Sequence, residues 1–326
     1  MPSVLVLGDS HAAWPWLGAA LSVFRPDICL VAGDFGWWPK LLPLPHTVLP
    51  PALLERTELH FLDGNHEDHP ALRQVVPRGC FEPVELLPRI IYHPRGSTMR
   101  LPDGRTVFFA GGGKSVDRAY RTEGRDWFPE EILVREDLPH TLPQADVVIS
   151  HTLPAAFGVT KSFGKATPRG RFDFSPDPSC AVLDEVLTAC RPALWLGAHF
   201  HRELRGEHVH ADGRRTVWRA LDEVSGWYYH AHSPCAFWLC GDAPCADDGA
   251  LGFPGGERAP VRLDRDGLYA VLPADNVPPR WRDAVNRFCA GRACPVLTLA
   301  DGTSCVGFWL QDIFGFLEFW WRQQAG

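Results

Sequence analysis

The sequence has no apolar run long enough to cross a bilayer, which takes about 20 residues, so no membrane span is expected. It also lacks a basic stretch ahead of its first apolar run. MPSVLVLGDSH passes straight from Val4–Leu7 to Asp9, Ser10 and His11, the pattern of a buried strand rather than a leader peptide. Cations are in the minority. Thirty-two Lys and Arg stand against 39 Asp and Glu, a net charge of −7, which disfavours coating of extended nucleic acid by charge alone. The Cys-x-x-Cys spacing of most thiolate zinc sites is missing too. Among the ten cysteines, Cys235, Cys240 and Cys245 follow one another at CxxxxC spacing, as do Cys289 and Cys294, with Cys305 beyond. Buried, reduced thiols in a cytoplasmic protein are the expectation.

What is present is an ordinary globular balance, 45% hydrophobic and 22% charged, which excludes wholesale disorder. The length of 326 residues fits one large domain or two. Short apolar runs recur, each ending in polar residues. Val4–Leu7 leads to Gly8, Asp9, Ser10 and His11; Ile28–Ala32 to Gly33 and Asp34; Leu59–Leu62 to Asp63, Gly64, Asn65 and His66. Val107–Ala110 leads to Gly111, Gly112 and Gly113; Val147–Ile149 to Ser150 and His151; Leu194–Leu196 to Gly197, Ala198, His199, Phe200 and His201. These read as buried strands. Helices are predicted at Ala12–Phe24 and at Ser179–Cys190, where Val182, Leu183, Val186 and Leu187 mark one helical face. The alternation predicts an α/β fold with polar residues gathered at the C-terminal ends of the strands. The pattern changes around Leu221–Tyr229, so a boundary is placed near residue 228. Beyond it lie a Cys-, Pro- and Gly-rich stretch, a predicted helix at Arg280–Cys289 and an aromatic tail.

The strand-end residues Asp9, His11, Asp34, Asn65, His66, His151, His199 and His201 are all of metal-ligand or acid–base type. In an extended segment, residues i and i+2 face the same way, so Asp9-x-His11 and His199-x-His201 can each present two ligands together. Carboxylate, imidazole and amide oxygen suit borderline divalent ions. Two such ions about 3.5–4 Å apart are a standard device for phosphate-ester hydrolysis, and Asp34 is the candidate bridging carboxylate. A single histidine after a strand is usually structural, and a Gly-Asp is usually a turn. Five separate strands each ending in a ligand-type residue are another matter.

In this order, GDSH (8–11), GD (33–34), GNHE (64–67), SH (150–151) and GAHFH (197–201) resemble the calcineurin-like metallophosphoesterases, in particular small bacterial and phage-type members. The resemblance implies a β-sandwich flanked by helices rather than a single doubly wound sheet; with the boundary near residue 228, residues 1–228 are the expected catalytic domain, and 229–326, which the resemblance does not cover, an accessory or cap region. It implies two divalent ions, manganese first, with Fe, Zn, Ni, Co and Mg as alternatives. One would be held by Asp9, His11, Asp34 and His201, the other by Asp34, Asn65, His151 and His199. It implies hydrolysis of a phosphodiester or phosphomonoester by a hydroxide shared between the ions, with His66 protonating the leaving oxygen. The substrate expected is a small, nucleotide-like or other phosphate ester. GNHE stands where GNHD is commoner, a change that leaves Glu67 able to orient His66. Asp63 and GDFGWW replace features of the protein phosphatases, which argues against that branch. In GAHFH, Ala198 stands where many members have a first histidine, but His-x-His survives.

The segment GGGKSVDRAYRTEGRDWFPEE (111–131) is the next most informative. Its glycines permit close backbone approach to a ligand, and arginine forks bind phosphate bidentately. Arg118 and Arg121 are therefore candidate substrate-binding residues, against the alternative of a surface loop with charge pairs such as Asp117–Arg121. Trp37 and Trp38 lie in a Pro-rich loop and are expected to pack in the core or a lid, with base stacking as the alternative. The tail from Phe308 to Trp321 lacks the Lys and Arg of a membrane-surface helix and reads as a helix packed on the protein or in a homodimer interface. Two other functions stay open. One is a nuclease, RNA-end-processing or lariat-debranching-like phosphodiesterase; those debranching enzymes usually carry Cys where Asp9 stands. The other is a catalytically inactive binding scaffold, against which all seven ligand positions and His66 are filled.

Overall fold

The computed structural model describes residues 1–159, 172–224, 235–241, 250–252, 258–260, 262–263, 269–273, 287, 296–298 and 304–309. Two six-stranded sheets pack face to face. The elements of the first are β1 (Val4–Leu7), α1 (Trp14–Phe24), β2 (Ile28–Val31), α2 (Pro45–Val48), α3 (Pro51–Arg56), β3 (Glu58–Leu62), α4 (His69–Val75), β4 (Val84–Leu87) and β5 (Ile90–His93). Those of the second are β6 (Thr98–Arg100), β7 (Thr106–Ala110), β8 (Val147–Ser150), α5 (Ser179–Cys190), β9 (Leu194–Gly197), β10 (Leu204–Val209) and β11 (Arg215–Ala220). The chain then returns to the first sheet with β12 (Ala236–Cys240).

The strand orders are β12-β1-β2-β3-β5-β4 and β10-β11-β9-β8-β7-β6. In each sheet four parallel strands are flanked by an antiparallel strand at either edge. The inner strands β1, β2, β7, β8 and β9 read as apolar runs because both of their faces are covered, whereas β11 alternates exposed and buried residues. Val4 and Val6 point into the space between the sheets, with Leu30 and Leu62, against Val107, Phe109, Val147 and Ile149. Leu5 and Leu7 point outward under Leu17, Leu21 and Phe24 of α1. On the far face, Leu183, Val186 and Leu187 of α5 cover Phe108, Val148 and Trp195.

The α/β expectation and the sandwich implied by the resemblance both hold. The first helix begins at Trp14 rather than Ala12, because His11 and Ala12 take left-handed conformations (φ 49° and 56°) that a right-handed helix cannot include. β12 lies beyond the boundary expected at residue 228, yet it pairs along the whole of β1. Cys235 and Cys240, at its ends, are buried free thiols.

Farther on, β13 (Ala250–Gly252) and β14 (Arg258–Pro260) pair with each other. β15 (Arg262–Leu263), β16 (Tyr269–Pro273), β17 (Val296–Thr298) and β18 (Ser304–Trp309) form a four-stranded sheet. Phe308 and Trp309 close β18 and pair with Ala270 and Tyr269, so these two residues are strand, not helix as the aromatic tail suggested. The rest of that tail lies outside the described residues, as does the helix expected at Arg280–Cys289 except for helical Arg287. No described helix is long and apolar enough to cross a membrane.

Candidate metal centre

The loops after β1, β2, β3, β8 and β9 converge at one end of the sandwich. Asp9, His11, Asp34 and His201 form one group of ligand atoms within 4.8 Å of one another, and Asp34, His151 and His199 form a second. His201 Nε2 is 3.1 Å from Asp9 Oδ2 and 3.1 Å from His11 Nε2. His151 Nε2 is 3.4 Å from Asp34 Oδ2, 3.1 Å from His199 Nδ1 and 3.0 Å from the Asn65 amide oxygen. Asp34 belongs to both groups, as a bridging ligand must.

The backbone is strained where it delivers these groups. His11, Asp34, His199 and His201 all have positive φ, at 49°, 44°, 73° and 48°. Each such non-glycine residue costs on the order of 1–3 kcal/mol, and such strain clusters at functional sites. Gly33 is required for close approach: a Cβ there would sit 2.2 Å from His151 Nδ1. That nitrogen is 3.0 Å from the carbonyl of Ala32, which accepts its proton and turns Nε2 toward the cluster.

Burial works against ionisation of Asp9 and Asp34, yet His151 and the other imidazoles outweigh it and hold both carboxyls below the usual range. Burial alone would lower His151 and His201. The carboxylates overcome it, Asp34 and Asp9 holding His151 up to about 10 and Asp9 holding His201 up to about 9. Two buried carboxylates thus draw positive charge into the cluster. Asp9 Oδ2 is itself buried, with His201 Nε2 at 3.1 Å and His11 Nε2 at 3.8 Å. Two carboxylates, an amide oxygen and the imidazoles of His11, His151, His199 and His201 at ligand-to-ligand spacing are a donor set that fits divalent cations, which would displace the imidazole protons. One side is open: His11, His201 and His66 side chains are 18%, 20% and 30% exposed, whereas Asp9, Asp34 and His151 are not.

His66 stands on that open side, outside both ligand groups, its ring 4.0 Å from Asp34 Oδ2 while its backbone N–H donates to Asp34 Oδ1 at 2.7 Å. Burial, with further contributions from His11 and Arg121, lowers its pKa to about 3 against the pull of Asp34. The guanidinium of Arg121 lies on this ring, with Nη2 against both imidazole nitrogens. Asp117 holds Arg121 from the other side at 2.9 Å. Arg118 turns away. It bonds the Arg121 carbonyl and Glu123 and lies 3.7 Å over the Trp127 ring. Of the two candidate substrate arginines, the fold brings only Arg121 to the cluster.

Glu67 does not orient the His66 ring. Its carboxylate accepts the N–H groups of Gly36 and Trp37, pinning the loop that follows Asp34. Trp37 packs on Phe61, and Trp38 stacks on Phe128 while its indole N–H donates to the His66 carbonyl. Both tryptophans are therefore packing residues. The glycines of 111–113 serve packing as well: a Cβ on Gly113 would lie 3.2 Å from His151 and 3.6 Å from His199.

Several site residues gave no sequence signal. Glu223 is buried and adds negative potential at His11 and His201. Arg95, 3% exposed, bonds Asp63, Asp137 and the carbonyls of Glu130, Glu131 and Ile132, joining the β3 end to the far end of the 111–131 loop. Ser115 and Glu131 are fully buried beside Asn65. Each is a lone polar residue in a loop, and only the neighbours brought by folding give it a meaning.

A family model described as calcineurin-like phosphoesterase matches residues 2–203. No curated protein matches the chain at a significant level. Among solved structures, the protein TT1561 of Thermus thermophilus is similar at 11% identity, with 68% of this chain and 90% of that one covered and a TM-score of 0.33. A conserved protein of Streptococcus pneumoniae, described as a predicted phosphoesterase, is similar at 10% identity over 74% of this chain and 84% of that one, with a TM-score of 0.31. GAP50, the anchor in the inner membrane complex of Plasmodium, is similar at 9% identity over 83% of this chain and 84% of that one, with a TM-score of 0.32.

Proposed function

The chain belongs to the calcineurin-like phosphoesterase family, and on that premise we propose that it hydrolyses a small phosphate ester at a two-metal centre. The observation that carries this reading is the pair of ligand groups sharing Asp34. Asp9, His11, Asp34 and His201 would hold one ion; Asp34, His151, His199 and the Asn65 amide oxygen would hold the other. Manganese is the first ion to try. Two bound divalent cations would supply a nucleophile from water near neutral pH and neutralise charge on the phosphoryl oxygens.

The chain's own groups have separate tasks. His66 sits on the open side, where it can give its proton to the departing ester oxygen. The guanidinium of Arg121 lies against the His66 ring, and its positive charge disfavours a second one there before substrate enters. An entering phosphoryl group offers the guanidinium a better acceptor, a bidentate and charge-assisted one. Transfer of Arg121 from His66 to phosphate both fixes the substrate and frees His66 to take up a proton. Arg118 has no part in this, being held within its own loop.

The test is metal analysis together with a substrate panel. With added Mn²⁺, bis-p-nitrophenyl phosphate, p-nitrophenyl phosphate, cyclic nucleotides and short RNA separate diesterase from monoesterase and small-ester from RNA activity. Two ions per chain are expected, and Asp34→Ala should lose both while remaining folded. Full metal occupancy in Asp34→Ala refutes the bridging role, and no hydrolysis across the panel by the fully loaded protein refutes the activity.

A further inference from the structure

An asparagine serves as a metal ligand only through its oxygen, and nothing in its shape distinguishes oxygen from nitrogen. Asn65 is 4% exposed, with its Oδ1 3.0 Å from His151 Nε2 and its Nδ2 donating to Ser115 Oγ at 3.1 Å. Which end faces the cluster is therefore decided by what Ser115 can accept. Ser115 Oγ has one proton, and it goes to Glu131 Oε2 at 2.5 Å. The Ser115 backbone N–H occupies the other carboxylate oxygen, Oε1, at 2.8 Å. With its proton spent, the hydroxyl can only accept, and the only Asn65 atom that can donate to it is Nδ2.

Glu131 is in turn fixed. Its carbonyl accepts Gly113 N–H at 3.0 Å and Arg95 Nη2 at 3.1 Å. Ser115 and Glu131 are 0% and 1% exposed, so no bulk water competes for these bonds. A carboxylate, a hydroxyl and an amide thus form a chain with one sense of donation, which ends on an oxygen aimed at the His151–His199 group.

We propose that Ser115 and Glu131 are positioning residues that set the amide of Asn65 oxygen-first toward the ion held by His151 and His199. The inference rests on the two-metal reading and adds to it a polarity device in the 111–131 loop. Glu131→Gln keeps the shape but offers one acceptor oxygen where two are used. Ser115→Ala removes the link altogether. In either variant the amide loses the partner that distinguishes its two ends.

The experiment is calorimetric titration of the full-length apoprotein with Mn²⁺, with Tm recorded for each variant. In Ser115→Ala and Glu131→Gln, the affinity of one ion should fall by about 10–100-fold, the range for an outer hydrogen bond to a ligand, and the other ion should bind as in wild type. Asn65→Ala should weaken the same ion. The double variant Asn65→Ala with Ser115→Ala should bind no worse than Asn65→Ala alone, because the two act through one contact. A merely structural Ser115 would give additive losses or weaken both ions, and either result overturns the proposal. So does unchanged affinity in both Ser115→Ala and Glu131→Gln while Asn65→Ala is impaired. If Asn65→Ala itself binds both ions normally, the ligand assignment of Asn65 has failed first, and the positioning role falls with it.

Discussion

Asp34 divides its two carboxylate oxygens between different tasks. Oδ1 accepts the His66 backbone N–H, and Oδ2 faces the rings of His11, His66 and His151. Holding His66 by its backbone leaves the ring's protonation to Arg121 and the entering phosphate. His66→Ala should therefore leave metal content near wild type and lower kcat by about 10²–10⁴ for esters with poor leaving groups. The loss should be much smaller for p-nitrophenyl esters, whose leaving group needs little protonation; equal losses would argue against a general acid. Arg121→Ala should cost about 1.5–3 kcal/mol in kcat/KM, the value of a hydrogen bond to a charged group, with little recovery in Arg121→Lys. Arg118→Ala should leave both constants near wild type, since its partners are Glu123 and Trp127. Steady-state kinetics on the best panel substrate decides between the two arginines. At this scale the ligand types were legible because they recur at the ends of separate strands. The Arg121–His66 contact was not, for it spans 55 residues and no spacing rule connects its partners.

β1, β2, β7, β8 and β9 were legible as apolar runs because burial on both faces leaves few polar positions. β10 alternates half-buried and exposed residues and carries Arg205, Glu207 and His208, so no apolar run marks it. The same limit hid the buried network that ties the ends of β3 and β5 to the 111–131 loop. Asp63 and Asp137 are buried, which pushes their carboxyls up, but Arg95 outweighs burial and both end below the ordinary 3.8. A carboxyl depressed in the folded state adds stability that is present above 3.8 and is lost as pH falls through its folded value. Arg95→Met would leave Asp63 buried without a guanidinium, while Asp137 keeps Arg73 at 2.6 Å and Arg78 at 2.9 Å, a loss of about 3–5 kcal/mol at pH 7. The sign then reverses, since a stranded carboxyl gains from protonation. The gap between wild type and variant should narrow as pH is lowered from about 7 toward about 4.5, where carboxyls raised by burial take up protons. Urea unfolding at the two pH values measures it, and a gap independent of pH would show that packing, not charge, sets the cost.

At the scale of the molecule, the loops that carry the candidate ligands all leave the same end of two sheets, and the first sheet is complete only with a strand drawn from beyond residue 228. A composition shift near Leu221–Tyr229 is visible in the sequence, but a shift in composition does not say which side a later strand joins. β12 covers the edge of β1, the strand that delivers Asp9 and His11. The Cys235 carbonyl accepts the Gly8 N–H at 2.9 Å, one residue before Asp9, and the Leu239 carbonyl is bonded by Arg105 of the opposite sheet. Cys235, Ala236, Leu239 and Cys240 are all buried. Leu239 alone accounts for about 1.5–3 kcal/mol of burial, and each lost pairing with β1 adds about 1 kcal/mol more. A chain ending at residue 228 should therefore melt well below one ending at residue 241, by more than about 5 °C at roughly 2–4 °C per kcal/mol for a chain of this size. It should also bind metal more weakly at the Asp9–His11 group, because the exposed β1 edge no longer fixes that loop, and its open backbone invites association. Thermal melts, light scattering and Mn²⁺ titration of the two truncated chains test this directly. Equal melting and equal metal affinity would mean that β12 is dispensable and that the catalytic unit does end near residue 228.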